Sequence, residues 1–407
     1  MPYEKKPRCF LLTRSVQIAE QNNVSAKHKQ RFSFPALTIL QRTLWRNSKE
    51  GFTKQKKLFA VFSRKTNSVT PEDPVSICIP TYNGERYLQQ ALDSALKQTY
   101  PNVEILVVDD GSTDNTLAIA NSFAAAHSNV RVVQNTTRGG MVANWTKCIE
   151  EAKHPWIKFL FQDDVLEPAC VQKLLDLCRQ HKVFIGFCRR DFLVEDNAPE
   201  ESVVYTKVTN KAEKIFAAGL IRPETLAEQV VKYGTENIIG EPTCLLFHKQ
   251  IMNEAGSFST CFFQSVDLEF ALRASLLAGI AFTPEALVRL RIHGGSQTSV
   301  NTNAKQNPDS QKRVLRTFLG DDILLYNKYW ADERFSAIRR LWPKKELVNI
   351  IRFRYLQACR QYGTRYTRNA LRDVLPLVPA IRYLFYFKLL YRREEKRYYA
   401  FMKRRGK

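Results

Sequence analysis

Trp156-Ile157-Lys158-Phe159-Leu160-Phe161-Gln162-Asp163-Asp164 is the stretch on which the reading of this chain turns. The run from Trp156 to Phe161 has the texture of a short strand buried on both faces. It stops at two adjacent carboxylates. Helix signals follow at once, with Pro168 near the start and Val171, Leu174, Leu175 and Cys178 at helical spacing. Neighbouring acids at the end of a buried strand repel each other, and a divalent cation removes that conflict. Oxygen ligands suit Mg²⁺ or Mn²⁺, which often join a protein through one or two carboxylates plus substrate phosphates. An acidic helix start accounts for the same pair without a metal, because acids favour the positive end of a helix. The surrounding chain decides between the two.

Toward the N-terminus, strands and helices alternate. Residues 75–79 form an apolar strand that ends in the turn Pro80-Thr81-Tyr82-Asn83-Gly84, and residues 85–98 are amphipathic at helical spacing. A second strand over 103–108 runs into Asp109-Asp110-Gly111-Ser112, followed by a helix over 114–126. A third strand at 129–133 and a helix at 142–152 lead back to the opening stretch. Alternation at this pitch predicts an α/β fold with a mostly parallel central sheet flanked by helices. Ligands of such sheets gather at the C-terminal strand ends. That rule places Pro80 to Asn83, Asp109-Asp110 and Asp163-Asp164 along one edge.

Beyond Asp164, residues 184–187 read as a strand, 189–208 as a polar loop and 224–233 as a helix. Gly240-Glu241-Pro242-Thr243 is a turn before a strand at 244–247. A helix over 263–277 carries Asp267 near its start. A strand at 287–292 runs into His293-Gly294-Gly295-Ser296, and 301–310 is a polar hinge.

The chain has 407 residues, of which 44% are apolar, enough for one large core with extensions. Its net charge of +22 is unevenly placed. Residues 1–70 carry about +12, residues 71–310 about −7 and residues 311–407 about +17. Three parts are expected: a basic N-terminal arm over 1–70, disordered or loosely helical with a weak helix over 42–62, the α/β domain over 71–305, and a basic helical extension over 306–407. Nine cysteines without C-x-x-C or ligand spacing argue for a reducing compartment rather than a disulfide scaffold. No run of about 18 apolar residues predicts a membrane span, and the first residues lack the apolar segment of a secretory signal. Residues 382–397 mix Tyr383, Phe385, Tyr386, Phe387 and Tyr391 with Lys and Arg, which suits an anionic membrane surface or a basic cap on the domain.

With these residues in view, the chain resembles the inverting nucleotide-sugar glycosyltransferases of family 2, which have the GT-A fold. The motifs carrying the resemblance are Pro80-Thr81-Tyr82-Asn83, Val108-Asp109-Asp110-Gly111-Ser112-Thr113-Asp114, Gln162-Asp163-Asp164, Gly240-Glu241-Pro242, Val266-Asp267-Leu268-Glu269 leading to Leu272-Arg273, and Arg291-Ile292-His293. They span about residues 75–300. The resemblance implies that Pro80, Thr81, Tyr82 and Asn83 border the nucleotide, Pro80 and Tyr82 packing on base and ribose. Asp110 would accept a hydrogen bond from the base, as suits the imide N–H of uracil or thymine. Gly140 and Asn144 would line the sugar-phosphate side, and Asp163 would bind ribose or sugar hydroxyls. Asp164 would hold Mg²⁺ or Mn²⁺ on the diphosphate, with His293 closing the site over metal or diphosphate. Asp267 would be the general base, since inversion by direct displacement needs one carboxylate to take the acceptor proton. Glu269 and Glu241 are its rivals. Two departures stand out: Ala143 replaces an Arg that is common before the Asn, and Gln162 replaces a frequent Asp.

The expected partners are a UDP- or dTDP-sugar donor and a glycan or glycolipid acceptor, handled in the cytoplasm, peripherally at the inner membrane face. Charge alone would suit nucleic acid, but the acidic middle and the strand-end carboxylates argue against it. A nucleotidyltransferase would share the acid-metal logic. It would need a basic, Gly-rich loop after the first strand, which residues 80–85 do not supply.

Overall fold

The computed structural model describes residues 73–381 apart from 197, 201, 204–205, 207–210, 297–298 and 300–307. β1 (Val75–Thr81), β2 (Val103–Asp109), β3 (Val130–Gln134) and β4 (Trp156–Phe159) lie parallel in the order β3-β2-β1-β4. Every residue of β1 and β4 is buried, as their continuous apolar runs require. α1 (Leu88–Leu96), α2 (Thr116–Ala126) and α3 (Met141–Glu151) make the crossovers, and α3 packs on β1 and β2. The register pairs Thr81 with Asp109 and Cys78 with Phe159. The turns after β1, β2 and β4 therefore open on one edge, as the alternation of elements predicts.

β5 (Val165–Leu166), α4 (Cys170–His181), β6 (Ile185–Val194), α5 (Ala212–Ile215), β7 (Gly219–Ile221) and α6 (Pro223–Tyr233) follow. Next come β8 (Leu245–His248), α7 (Ile251–Ala255), α8 (Val266–Ala278) and β9 (Ile280–Ile292). β8 runs antiparallel to β4 and β6, and β9 runs parallel to β6 and antiparallel to β5 and β7. The result is a mixed nine-stranded sheet flanked by helices.

This second half departs most from expectation. β6 continues to Val194, through residues expected to be a loop from 189. It is held there by pairing from Arg190 opposite Val288 to Val194 opposite Ile292. A strand with one face in water tolerates polar residues, so composition misleads at that point. β9 likewise starts seven residues before the expected 287. β5, β7, α5 and α7 are short elements with no sequence period of their own, and none was expected.

α9 (Pro308–Val314), a π-helical turn (Leu315–Gly320), α10 (Asp321–Ala331), α11 (Ser336–Leu341), α12 (Lys344–Tyr362) and α13 (Thr364–Ala370) form the helical C-terminal part. α10, α11 and α12 share one core with the sheet, while Leu315, Ala358 and Ala370 make a small cluster of their own. Tyr329 of α10 is fully buried, and its hydroxyl donates to the Gly234 carbonyl at 3.0 Å. Among the described residues no helix is long and apolar enough to cross a membrane. The N-terminal arm, the helix expected over 42–62 and the aromatic-basic stretch 382–397 lie outside the described residues.

Candidate active site

The rim is built turn against turn. The Asp109 carboxylate folds the loop after β2 back on itself, accepting from the Gly111 and Ser112 amides at 3.2 and 3.0 Å and from the Thr81 hydroxyl at 3.2 Å. Asn83 adopts φ 48°, a left-handed conformation that Asn tolerates. From there its Oδ1 accepts from the Thr113 amide at 2.9 Å. Gln162 clamps the first turn with both ends of its amide. Its Oε1 accepts from Tyr82 N at 2.9 Å and its Nε2 donates to Tyr82 O at 3.1 Å. Gly84 is needed for that approach, because a Cβ there would stand 2.3 Å from Gln162 Oε1. The Gln at this position thus holds the loop that carries Tyr82.

Asp110 is buried and accepts three hydrogen bonds, from Gly139 N at 2.8 Å, Gly140 N at 2.7 Å and Asn135 Nδ2 at 2.9 Å. Gly140, at φ 81°, starts α3. Asn144 is buried behind it and donates to the carbonyls of Val108 at 3.1 Å and Thr81 at 3.3 Å. The structure therefore brings Pro80, Thr81, Tyr82, Asn83, Asp110, Gly140 and Asn144 to one rim. The polar groups of Thr81, Asn83 and Asn144 also fasten strand ends and turns to each other. Tyr82 remains as an open ring, with the Arg138 guanidinium 3.8 Å above its centre.

Asp164 is buried beside the less covered Asp163. Its Oδ2 accepts from the Thr243 hydroxyl at 2.6 Å and its Oδ1 from Arg291 N at 3.1 Å. Burial, and next the charge of Asp163, push its pKa well above the usual carboxylate range. Below, the buried Lys158 ammonium donates to the Thr243 carbonyl. Asp163 Oδ2 lies 3.1 Å from His293 Nε2, and the His293 ring meets the Tyr87 ring edge-on at 4.7 Å. His293 is thus paired with Asp163 rather than Asp164. Among the described residues no three His, Cys, Asp or Glu side chains converge as a full metal cage. Asp163 and Asp164 are the residues that would share a hard cation with phosphate oxygens, since burial and the neighbouring charge destabilise Asp164 as a bare anion.

Asp267 lies in the first turn of α8, and the Glu241 charge acts on it as it does on Asp164. Asp267 is half-buried, and its pKa is pushed up to about 7 by burial first and the Glu241 charge second, with Arg190 opposing. Glu241 is held by Arg190 at 2.9 Å. The rival Glu269 is fully buried. It is bound by Arg273 at 2.8 and 2.9 Å and by Lys328 at 2.9 Å, which leaves it no access to a substrate. Sequence reasoning missed Thr243, Arg190 and Lys158. Lys158 gave one signal, a cation inside an otherwise apolar run.

Residues 76–247 match the family described as Glycosyl transferase family 2. An uncharacterized protein of Mycobacterium tuberculosis is 32% identical over 257 residues, covering 63% of this chain and 79% of that protein. The glycosyltransferase GlyG of Streptococcus pneumoniae is 36% identical over 100 residues, 25% of this chain and 33% of that one. Among solved structures, residues 1–349 of TarS from S. aureus in complex with UDP-GlcNAc superpose with a TM-score of 0.48 at 18% identity, over 75% of this chain and 92% of that one.

Proposed function

The chain belongs to glycosyl transferase family 2, and on that premise we propose how this glycosyltransferase works: with Mg²⁺ or Mn²⁺, it moves a sugar from a UDP- or dTDP-sugar to a hydroxyl of a polysaccharide or glycolipid, with inversion. The observation that carries the proposal is that two kinds of carboxylate lie around Glu241, whose charge acts on both Asp164 and Asp267. Asp163 and Asp164 are an adjacent pair just past the end of β4. Asp267 lies in the first turn of α8, its pKa pushed up to about 7. A general base works best with a pKa near the working pH. Asp267 takes the proton of the acceptor hydroxyl, and Glu241 beside it keeps it basic.

On the donor side Tyr82 offers the ring for the base once Arg138 moves off it. Asp110 accepts two donors on Oδ1 and one on Oδ2, which leaves one lone pair, on Oδ2, for a base imide. Asp164, steadied by Thr243 and the Arg291 amide, would hold the cation with Asp163. When bound, that cation neutralises charge on the departing nucleoside diphosphate. His293 keeps Asp163 oriented. We place the substrate-contacting residues in 71–305 and assign residues 382–405 of the basic extension to holding the enzyme at an anionic, cytoplasmic membrane face, where lipid-linked glycans are built. The charge of the extension supports that placement.

A thermal-shift panel tests the donor half. UDP and dTDP should raise the melting temperature only with Mn²⁺, and ADP should not. Stabilisation by UDP that is indifferent to metal would contradict the proposal.

A further inference from the structure

Asp321, the first residue of α10, is 1% exposed and does nothing for its own helix that a surface acid could not do. Its carboxylate instead accepts the backbone N–H groups of three consecutive residues on another segment: Phe263 at 2.9 Å, Gln264 at 2.6 Å and Ser265 at 2.9 Å. These three precede α8, whose N-cap Ser265 makes no side-chain capping bond of its own. The entry to α8, its N-cap and the two residues before it, is therefore held from 56 residues away. Arg316, in the π-helical turn, completes the clamp. Its guanidinium pairs with Asp321 at 3.0 Å and Asp373 at 2.6 Å, donates to the Cys261 carbonyl at 2.9 Å and lies 4.4 Å over the ring of Phe263. Gly320 makes room for it, since a Cβ there would stand 2.8 Å from Arg316 Nη1.

We infer that Asp321 and Arg316 are positioning residues for Asp267, so that the C-terminal helices form part of the catalytic apparatus. The inference rests on the reading of Asp267 as base. Two effects act together. The three N–H bonds fix the path of residues 263–265, and hence where the first turn of α8 presents Asp267. The negative charge of Asp321 also cancels part of the positive potential at that helix end, which would otherwise favour ionised Asp267 and weaken it as a base. The other charged groups facing Asp267 are Glu241 and Arg190, and those facing Asp321 are Arg316 and, through it, Asp373.

The test follows thermal unfolding of the full chain across pH in the parent, Asp267→Asn, Asp321→Asn and the double variant. Asp267 holds its proton longer when folded than when unfolded. The parent therefore loses stability as pH rises from about 4 to about 7, and Asp267→Asn escapes that loss. The advantage of Asp267→Asn should grow over that window and level off near 7. In the Asp321→Asn background the pH at which it levels off should fall by about one unit, while the stabilisation by UDP with Mn²⁺ persists. Asp321→Glu should bring that pH part of the way back. If Asp321→Asn does not fold, Asp321→Glu alone should show a smaller fall. An unmoved levelling-off pH, or a shift accompanied by loss of the UDP response, would overturn the positioning role and leave the base intact. No pH-dependent advantage from Asp267→Asn in the parent would overturn the base and the positioning role together.

Discussion

The donor rim and the start of α8 hold their acids in different ways. At the rim each acid lies at or just beyond the end of a strand, and its partners are mostly turns at the same edge. Asp109 is bound within its own loop, and Asp110 by the loop that opens α3. At α8 the supports come from far along the chain. Glu241 and Arg190 flank Asp267, Lys328 lies on Glu269 below, and Asp321 holds the three residues that lead into the helix. The rim is thus a product of parallel topology, in which strand ends and their turns align automatically. The setting of the proposed base is a product of tertiary packing between the sheet and the C-terminal helices. Damage to the two should separate into lost donor binding and lost transfer.

The comparison can be broken at several points. Asp267→Asn carries the largest expected effect, a fall in transfer of about 10²- to 10⁴-fold, with UDP and Mn²⁺ binding retained in the thermal-shift assay. Normal turnover by that variant would remove Asp267 from the base role. Glu269→Gln should leave Arg273 and Lys328 poorly compensated and destabilise the fold by about 3–5 kcal/mol, measured by denaturant unfolding. A stable but inactive Glu269→Gln would return Glu269 to contention. Thr243→Val removes the hydroxyl that donates to Asp164 and should weaken Mn²⁺-supported UDP binding by about 10-fold, while Asp267 chemistry is untouched. The smallest and sharpest effect is on pH. Transfer should rise with pH through about 7 as Asp267 loses its proton, and that acidic limb should vanish with Asp267→Asn.

The same contrast explains what the sequence revealed. β1 to β4, with their helices, follow from apolar runs and turn residues, and their register put the predicted acids on one edge. The motif residues there were legible because each sits within a few positions of its strand end. Their individual tasks were less so. Nothing in the order of residues says that Asn144 turns its amide down to the Val108 carbonyl, or that Gln162 grips Tyr82 across 80 positions. The polar half of β6 could not be seen either, because its pairing with β9 is what makes it a strand. The motif is what singles out Asp267, whereas the Asp321 carboxylate that holds the entry to its helix lies in a segment with no pattern pointing back to it.

The most direct measurement of the central claim is UDP-induced stabilisation of the full chain with and without Mn²⁺, in the parent, Asp164→Ala and Asp267→Asn. The account predicts a metal-dependent rise in the parent and in Asp267→Asn, and none in Asp164→Ala. A rise that survives Asp164→Ala, or one that disappears with Asp267→Asn, would contradict the division of the site into a metal-bearing donor rim and a separate base.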